Sequence, residues 1–185
     1  DWCALSVEGV RAFQPALQVN RMLKKLNLCC CQIGDEGIRL VADALVGNTI
    51  IEMLNIAGNG ITSVGLADIT RLLESTQLKT IDMERNDGVF SDKVATQHFV
   101  STLQQKKSSV QELPGIRAHD FPEGSRATTY ASIKNSLARN QQLNRAKLLL
   151  EPPPPYQQQQ LPQQRNCYRT TALMMLKTWH KAITK

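Results

Sequence analysis

The chain has 185 residues, 42% of them hydrophobic, enough for one domain with a continuous core and some additional segments. Its net charge of +6 is unevenly placed: residues 1–114 hold 11 Lys and Arg against 13 Asp and Glu, and residues 115–185 hold 11 against 3. A basic, polyanion-seeking surface is therefore excluded for the first part of the chain and left open only for the last third. No run approaches the roughly 20 apolar residues of a membrane span.

Five cysteines, Cys3, Cys29, Cys30, Cys31 and Cys167, make an odd number with three in a row. That is a poor disulfide framework, so a reducing compartment, cytoplasmic or nuclear, is expected. The first residue is Asp1, and the chain reads as an N-terminally truncated piece of something longer.

From its beginning the chain repeats itself. Residues 23–48, LKKLNLCCCQIGDEGIRLVADALVGN, lie over residues 51–76 at an offset of 28. Leu26 falls on Leu54, Leu28 on Ile56, Cys31 on Asn59, Ile33 on Ile61 and Gly37 on Gly65. Upstream, Cys3 falls under Cys31, Gly9 under Gly37, Leu17 under Leu45 and Asn20 under Asn48. Downstream, Leu78, Ile81, Met83 and Asn86 repeat the first half of the unit at an offset of 27, and Val110 with Leu113 begins a decayed one.

Within each unit the alternation at Leu26-Asn27-Leu28 and Leu54-Asn55-Ile56 predicts a short strand with one buried face. The stripes Ile38, Val41, Ala44, Leu45 and Leu66, Ile69, Leu72, Leu73 predict one-sided helices. Neither element buries its face alone, so the units have to stack, strand beside strand and helix beside helix. In the third unit the step from Leu78 to Val110 lengthens to 32 residues. There Ser91 or Asp92 is positioned to cap a helix whose inner side holds Val94 or Ala95, Phe99 and Leu103.

These frames resemble leucine-rich repeats of the long, ribonuclease-inhibitor type, over about residues 1–114. The resemblance implies an α/β solenoid with parallel strands on a concave side and helices on the convex side. It also implies a ladder of side chains inside the turns that leave the strands, here Cys3, Cys31, Asn59 and Asn86. At that position a buried polar group satisfies backbone donors and acceptors, and cysteine is small enough to take its place.

The solvent-facing strand positions would then line the concavity: Lys25, Asn27 and Cys29, then Met53, Asn55 and Ala57, then Thr80, Asp82 and Glu84. This face runs from basic through neutral to acidic, a gradient able to orient a charged partner, although exposed strand positions are polar in any case. Asp82 and Glu84 stand at a glycosidase-like spacing, but an open face gives no pocket to drive their pKa values apart. His98, His119 and His180 share no spacing that suggests a triad, and the motifs GDEG and AGNG are turns rather than phosphate loops. No catalytic, cofactor or metal residue is expected, since the further ligands that zinc needs are missing around the cysteines.

Beyond Leu113-Pro114-Gly115 the repeat is lost. Residues 115–150 read as a turn-rich segment and a capping helix. Ile133, Leu137, Asn140, Leu143, Asn144, Arg145 and Ala146 in it resemble the closing segment of leucine-rich proteins predicted in microalgae. A cap would cover the open end of the core. Residues 151–166, rich in Pro and Gln, read as an extended linker, and residues 167–185 as an amphipathic helix.

The expected function is a non-enzymatic protein-protein interaction module whose unknown protein partner sits on the concave face. Regulation of a small GTPase, in the manner of activating proteins with similar repeats, is an alternative. Nucleic-acid binding through the basic last third is another. Neither a membrane partner nor a cofactor is expected.

Overall fold

The computed structural model describes residues 5–105 and 108–150, so Cys3, the Pro/Gln segment 151–166 and the helix expected at 167–185 lie outside the described residues. The chain divides into two compact units, residues 1–138 and 139–185.

In the first unit helices and strands alternate: α1 (Ser6–Val19), β1 (Lys25–Asn27), α2 (Gly34–Leu45), β2 (Met53–Asn55), α3 (Ser63–Ser75), β3 (Thr80–Asp82) and α4 (Lys93–Gln104). Two single 3-10 turns, Ala118–Asp120 and Glu123–Ser125, lead into α5 (Arg126–Leu150). The strands form one parallel sheet in the order β1-β2-β3. Lys25 pairs with Met53 and Met53 with Thr80, the offsets of 28 and 27 read from the sequence. A further parallel bridge joins Thr80 to Glu112, 32 residues on. The lengthened unit is therefore still in register with the one before it.

The same backbone bonds recur at every step. The Lys24 carbonyl accepts from the amides of Glu52 and Met53, the Glu52 carbonyl from Lys79 and Thr80, and the Lys79 carbonyl from Gln111 and Glu112. Helix packing follows the same order, α1 on α2, α2 on α3 and α3 on α4.

The core is the apolar spine that this stacking encloses: Leu28, Leu54, Ile56 and Ile81 from the sheet side, and Ile38, Val41, Leu45, Leu66, Ile69, Leu72 and Leu73 from the helices. At α4 the Asp92 carboxylate accepts from the Ala95 amide at 2.7 Å and is the cap. Ala95 packs against the core and Val94 is exposed. The extra residues of this unit carry Val89 and Phe90 into the core, where the Phe90 ring meets Phe99 at 5.7 Å and Phe121 at 4.6 Å. Ile116, Phe121, Ile133 and Leu137 belong to the same cluster, so the segment after the repeats shares its core.

In residues 139–150 of the second unit, Asn140 and Ala146 are buried. Leu148 is 61% exposed.

Helix starts are tied across units as well. The Asp35 carboxylate, in the first turn of α2, accepts from the amides of Thr62 and Gly65 and from the Thr62 hydroxyl, at 2.7 to 3.0 Å. An acid beside the positive end of α3 is also favoured by the helix dipole.

Candidate functional site

The turns that leave the strands are built by asparagine side chains. Asn59 is 3% exposed; its Oδ1 accepts from the Cys31 amide at 2.9 Å and the Ile33 amide at 3.4 Å. Its Nδ2 donates to the carbonyls of Leu28, Ile56 and Ala57. Asn86 repeats this one unit on, accepting from Asn59 and Ile61 and donating to Ile56 and Met83. Each asparagine thereby holds its own turn and the preceding one. Cys31, at the equivalent place, is half-buried, and its thiol donates to the Cys29 carbonyl at 3.5 Å, the bond Asn59 makes to Ala57.

The candidate face lies on the outer side of the sheet. Lys25 and Asn27 are exposed, and Met53, Asn55, Thr80, Asp82, Glu84 and Cys29 are partly so. Ala57, counted from the sequence among the exposed positions, is 3% exposed. It sits in register between Cys29 and Glu84, and its methyl group is too short to reach past those side chains.

Three of these residues have a second duty that periodicity does not reveal. The side-chain oxygens of Asn27, Asn55 and Asp82 accept from the amides of Cys29, Ala57 and Glu84, at 3.0, 3.0 and 3.1 Å. Each closes an Asx turn at a strand end. Asp82 therefore keeps one oxygen for a partner, and Asn27 and Asn55 keep their amide nitrogens.

Glu84 is also committed, because the Arg117 guanidinium donates to its Oε1 at 3.2 Å. Gly115 approaches Glu84 so closely that a Cβ there would overlap the Glu84 Cβ, and its φ of +77° is the left-handed region. Gly115→Ala is expected to lower stability by about 1–3 kcal/mol, because both the backbone conformation and the contact oppose a side chain. Chemical denaturation reads this directly.

Between this segment and the third turn lies a cleft of about 360 Å³, lined by Arg85, Asp87, Arg117, His119 and Asp120 among others. Sequence reasoning missed it, since residues 115–120 carry no repeat. Its one legible signal was Arg85, a charged residue in register with Cys30 and Gly58; all three have positive φ, and Arg85 is exposed.

The Cys29 and Cys30 sulfurs lie 3.5 Å apart. The bond to Cys30 and partial burial push the Cys29 thiol above its ordinary pKa, so it is protonated at neutral pH. Among the described residues no three His, Cys, Asp or Glu side chains are grouped so as to hold a metal ion, and no helix is long and apolar enough to cross a membrane.

A leucine-rich repeat family model matches residues 19–42 and 47–69. The fold is similar to a structure described as leiomodin-1 actin-binding site 2, with a TM-score of 0.64 and 23% identity over 77% of this chain and 78% of that one. It is also similar to the tropomodulin C-terminal domain of Caenorhabditis elegans, with a TM-score of 0.50 and 15% identity over 77% of this chain and 99% of that one. No curated protein matches the chain by sequence.

Proposed function

We propose that this chain, a leucine-rich repeat protein, acts as a binding module that holds another protein on the outer face of its sheet, with no catalytic step of its own. The observation that carries the reading is the pinning of that face from beneath. Asn59 and Asn86 fix the turns, and the Asx bonds of Asn27, Asn55 and Asp82 fix the strand exits. A surface held in this way loses little conformational freedom when it binds. The array is a solenoid with this face on its concave side, and the first half of α5, through Ile133 and Leu137, closes the end of its core.

Three further points favour binding over catalysis. Asp82 is tied to its own turn and Glu84 to Arg117, so the two carboxylates do not act as an acid-base pair. The side chains left available, Lys25 at one end, Met53 in the middle and the free oxygen of Asp82 at the other, keep the charge gradient that orients a partner. The leiomodin-1 structure is described as an actin-binding site, which makes actin the first partner to test. A reducing compartment, where free cysteines persist, is where such a partner would be met.

The test is binding of monomeric actin to the immobilised chain. Saturable binding is expected, with the association rate falling several-fold in the Lys25→Glu, Asp82→Lys double variant as charge steering is reversed. Saturable binding that the double variant leaves unchanged places the site off this face, and absence of saturable binding removes actin as the partner.

A further inference from the structure

We propose that Cys29 and Cys30 form a bidentate dithiol site for a monosubstituted trivalent arsenical, a soft electrophile that bonds two sulfurs at one centre. The sulfurs are 3.5 Å apart, about the separation at which one arsenic atom bridges two thiolates, and both side chains are half-buried, so they are reachable without unfolding. The pair is preorganised. The Cys29 amide donates to Asn27, the Cys30 amide to the Ala57 carbonyl and the Cys31 amide to Asn59, so three successive peptide groups of the turn are fixed. Space beside Cys30 is kept by Gly58, whose φ is +64° and whose missing Cβ would stand 2.9 Å from the Cys30 sulfur.

Three competing uses of the thiols fit less well. A zinc ion takes four ligands, or three and a water, and the described residues offer no group of three. A direct disulfide requires the sulfurs to close from 3.5 Å to about 2.05 Å, which the three fixed amides oppose. Nucleophilic attack needs a thiolate, and the mutual hydrogen bond keeps Cys29 protonated.

Condensation with an arylarsonous acid, ArAs(OH)2, suits neutral thiols. Two S–H protons leave with the two hydroxyl groups as two waters, two As–S bonds replace two As–O bonds, and nothing is oxidised or reduced. The product is a ring in which the path from the Cys29 sulfur through Cβ, Cα, C, N, Cα and Cβ to the Cys30 sulfur is closed by arsenic, at the exit of β1 and on the sheet face described above.

The probe is phenylarsine oxide, added to the full chain under reducing conditions, followed by excess 2-mercaptoethanol to strip singly bonded arsenic. Intact mass should then show one monothiol-resistant adduct per chain, released by 2,3-dimercaptopropanol and mapped by proteolysis to the peptide containing Cys29 and Cys30. Cys29→Ser and Cys30→Ser should each lose it, whereas Cys31→Ser should keep it, which separates loss of a ligand from loss of fold. A resistant adduct that survives in Cys29→Ser or Cys30→Ser, that disappears in Cys31→Ser, or that never forms in the unaltered chain overturns the proposal.

Discussion

Leu54→Ala is expected to lower the free energy of unfolding by about 2–5 kcal/mol, the range for deleting a fully buried leucine whose surroundings relax only in part. Leu54 is 0% exposed and occupies the middle of the central strand, paired with Leu26 on one side and Ile81 on the other. Its side chain therefore belongs to three units at once. The cavity left by alanine has neighbours on both sides that are themselves held by backbone ladders, so it cannot collapse cheaply. A urea titration measures the change as a shift in midpoint at constant slope. Lys25→Ala, on the outer face of the next strand, should stay within about 0.5 kcal/mol of the unaltered chain. If the two variants melt together, β2 is not the centre of a shared core.

Asn59→Ala is expected to cost about 3 kcal/mol, more than the usual single hydrogen bond. The substitution removes the side-chain acceptor of the Cys31 and Ile33 amides and the donor to the Leu28 carbonyl in a site that is 3% exposed, where an unpaired backbone group costs roughly 1–3 kcal/mol and only some regain water, while the Ile56 and Ala57 carbonyls keep Asn86 and the Cys30 amide. Asn59→Asp should be nearly as damaging. It keeps the acceptor for Cys31 and Ile33 but turns a carboxylate toward the carbonyls of Leu28, Ile56 and Ala57. A tolerated Asn59→Asp would mean that water serves the Leu28 carbonyl, that Asn86 and the Cys30 amide suffice for Ile56 and Ala57, and that the side chain is a passenger in the turn.

Both effects were legible in the sequence because they follow from periodicity. The offsets at Leu26, Leu54 and Ile81 fix strand pairing, since partners in register must present the same face. The recurrence of Asn59 and Asn86 after each strand marks a polar group that the backbone needs at the same place in each turn. The helix stripes were equally plain, down to Leu73 and Leu45 at 4% and 0% exposure.

What the repeat conceals is any contact made once. Arg117 reaching Glu84, Gly115 fitting against the same residue and Phe121 stacking near Phe90 all come from a segment without period, so no comparison of units could locate them. A second blind spot is local. Asn27, Asn55 and Asp82 alternate like exposed strand residues, yet each spends an oxygen on the amide two positions later. Alternation reports which side of a strand a residue occupies and says nothing about whether its polar atoms are already used. Of the face drawn from sequence, Lys25 and Met53 are left with the fewest such commitments.

Successive units are locked in register by asparagine side chains that hold the turn before their own. Hydrogen exchange of individual amides under native conditions tests it most directly, because local opening and global unfolding are separated in the same measurement. The amides of Cys31, Asn59 and Ile61 lie in turns, where exchange is ordinarily fast. Held by Asn59 and Asn86, they should exchange as slowly as the amides of β2, and Asn86→Ala should release Asn59 and Ile61 while leaving Cys31 slow. Fast exchange of all three in the unaltered chain would mean that the asparagines do not hold these turns.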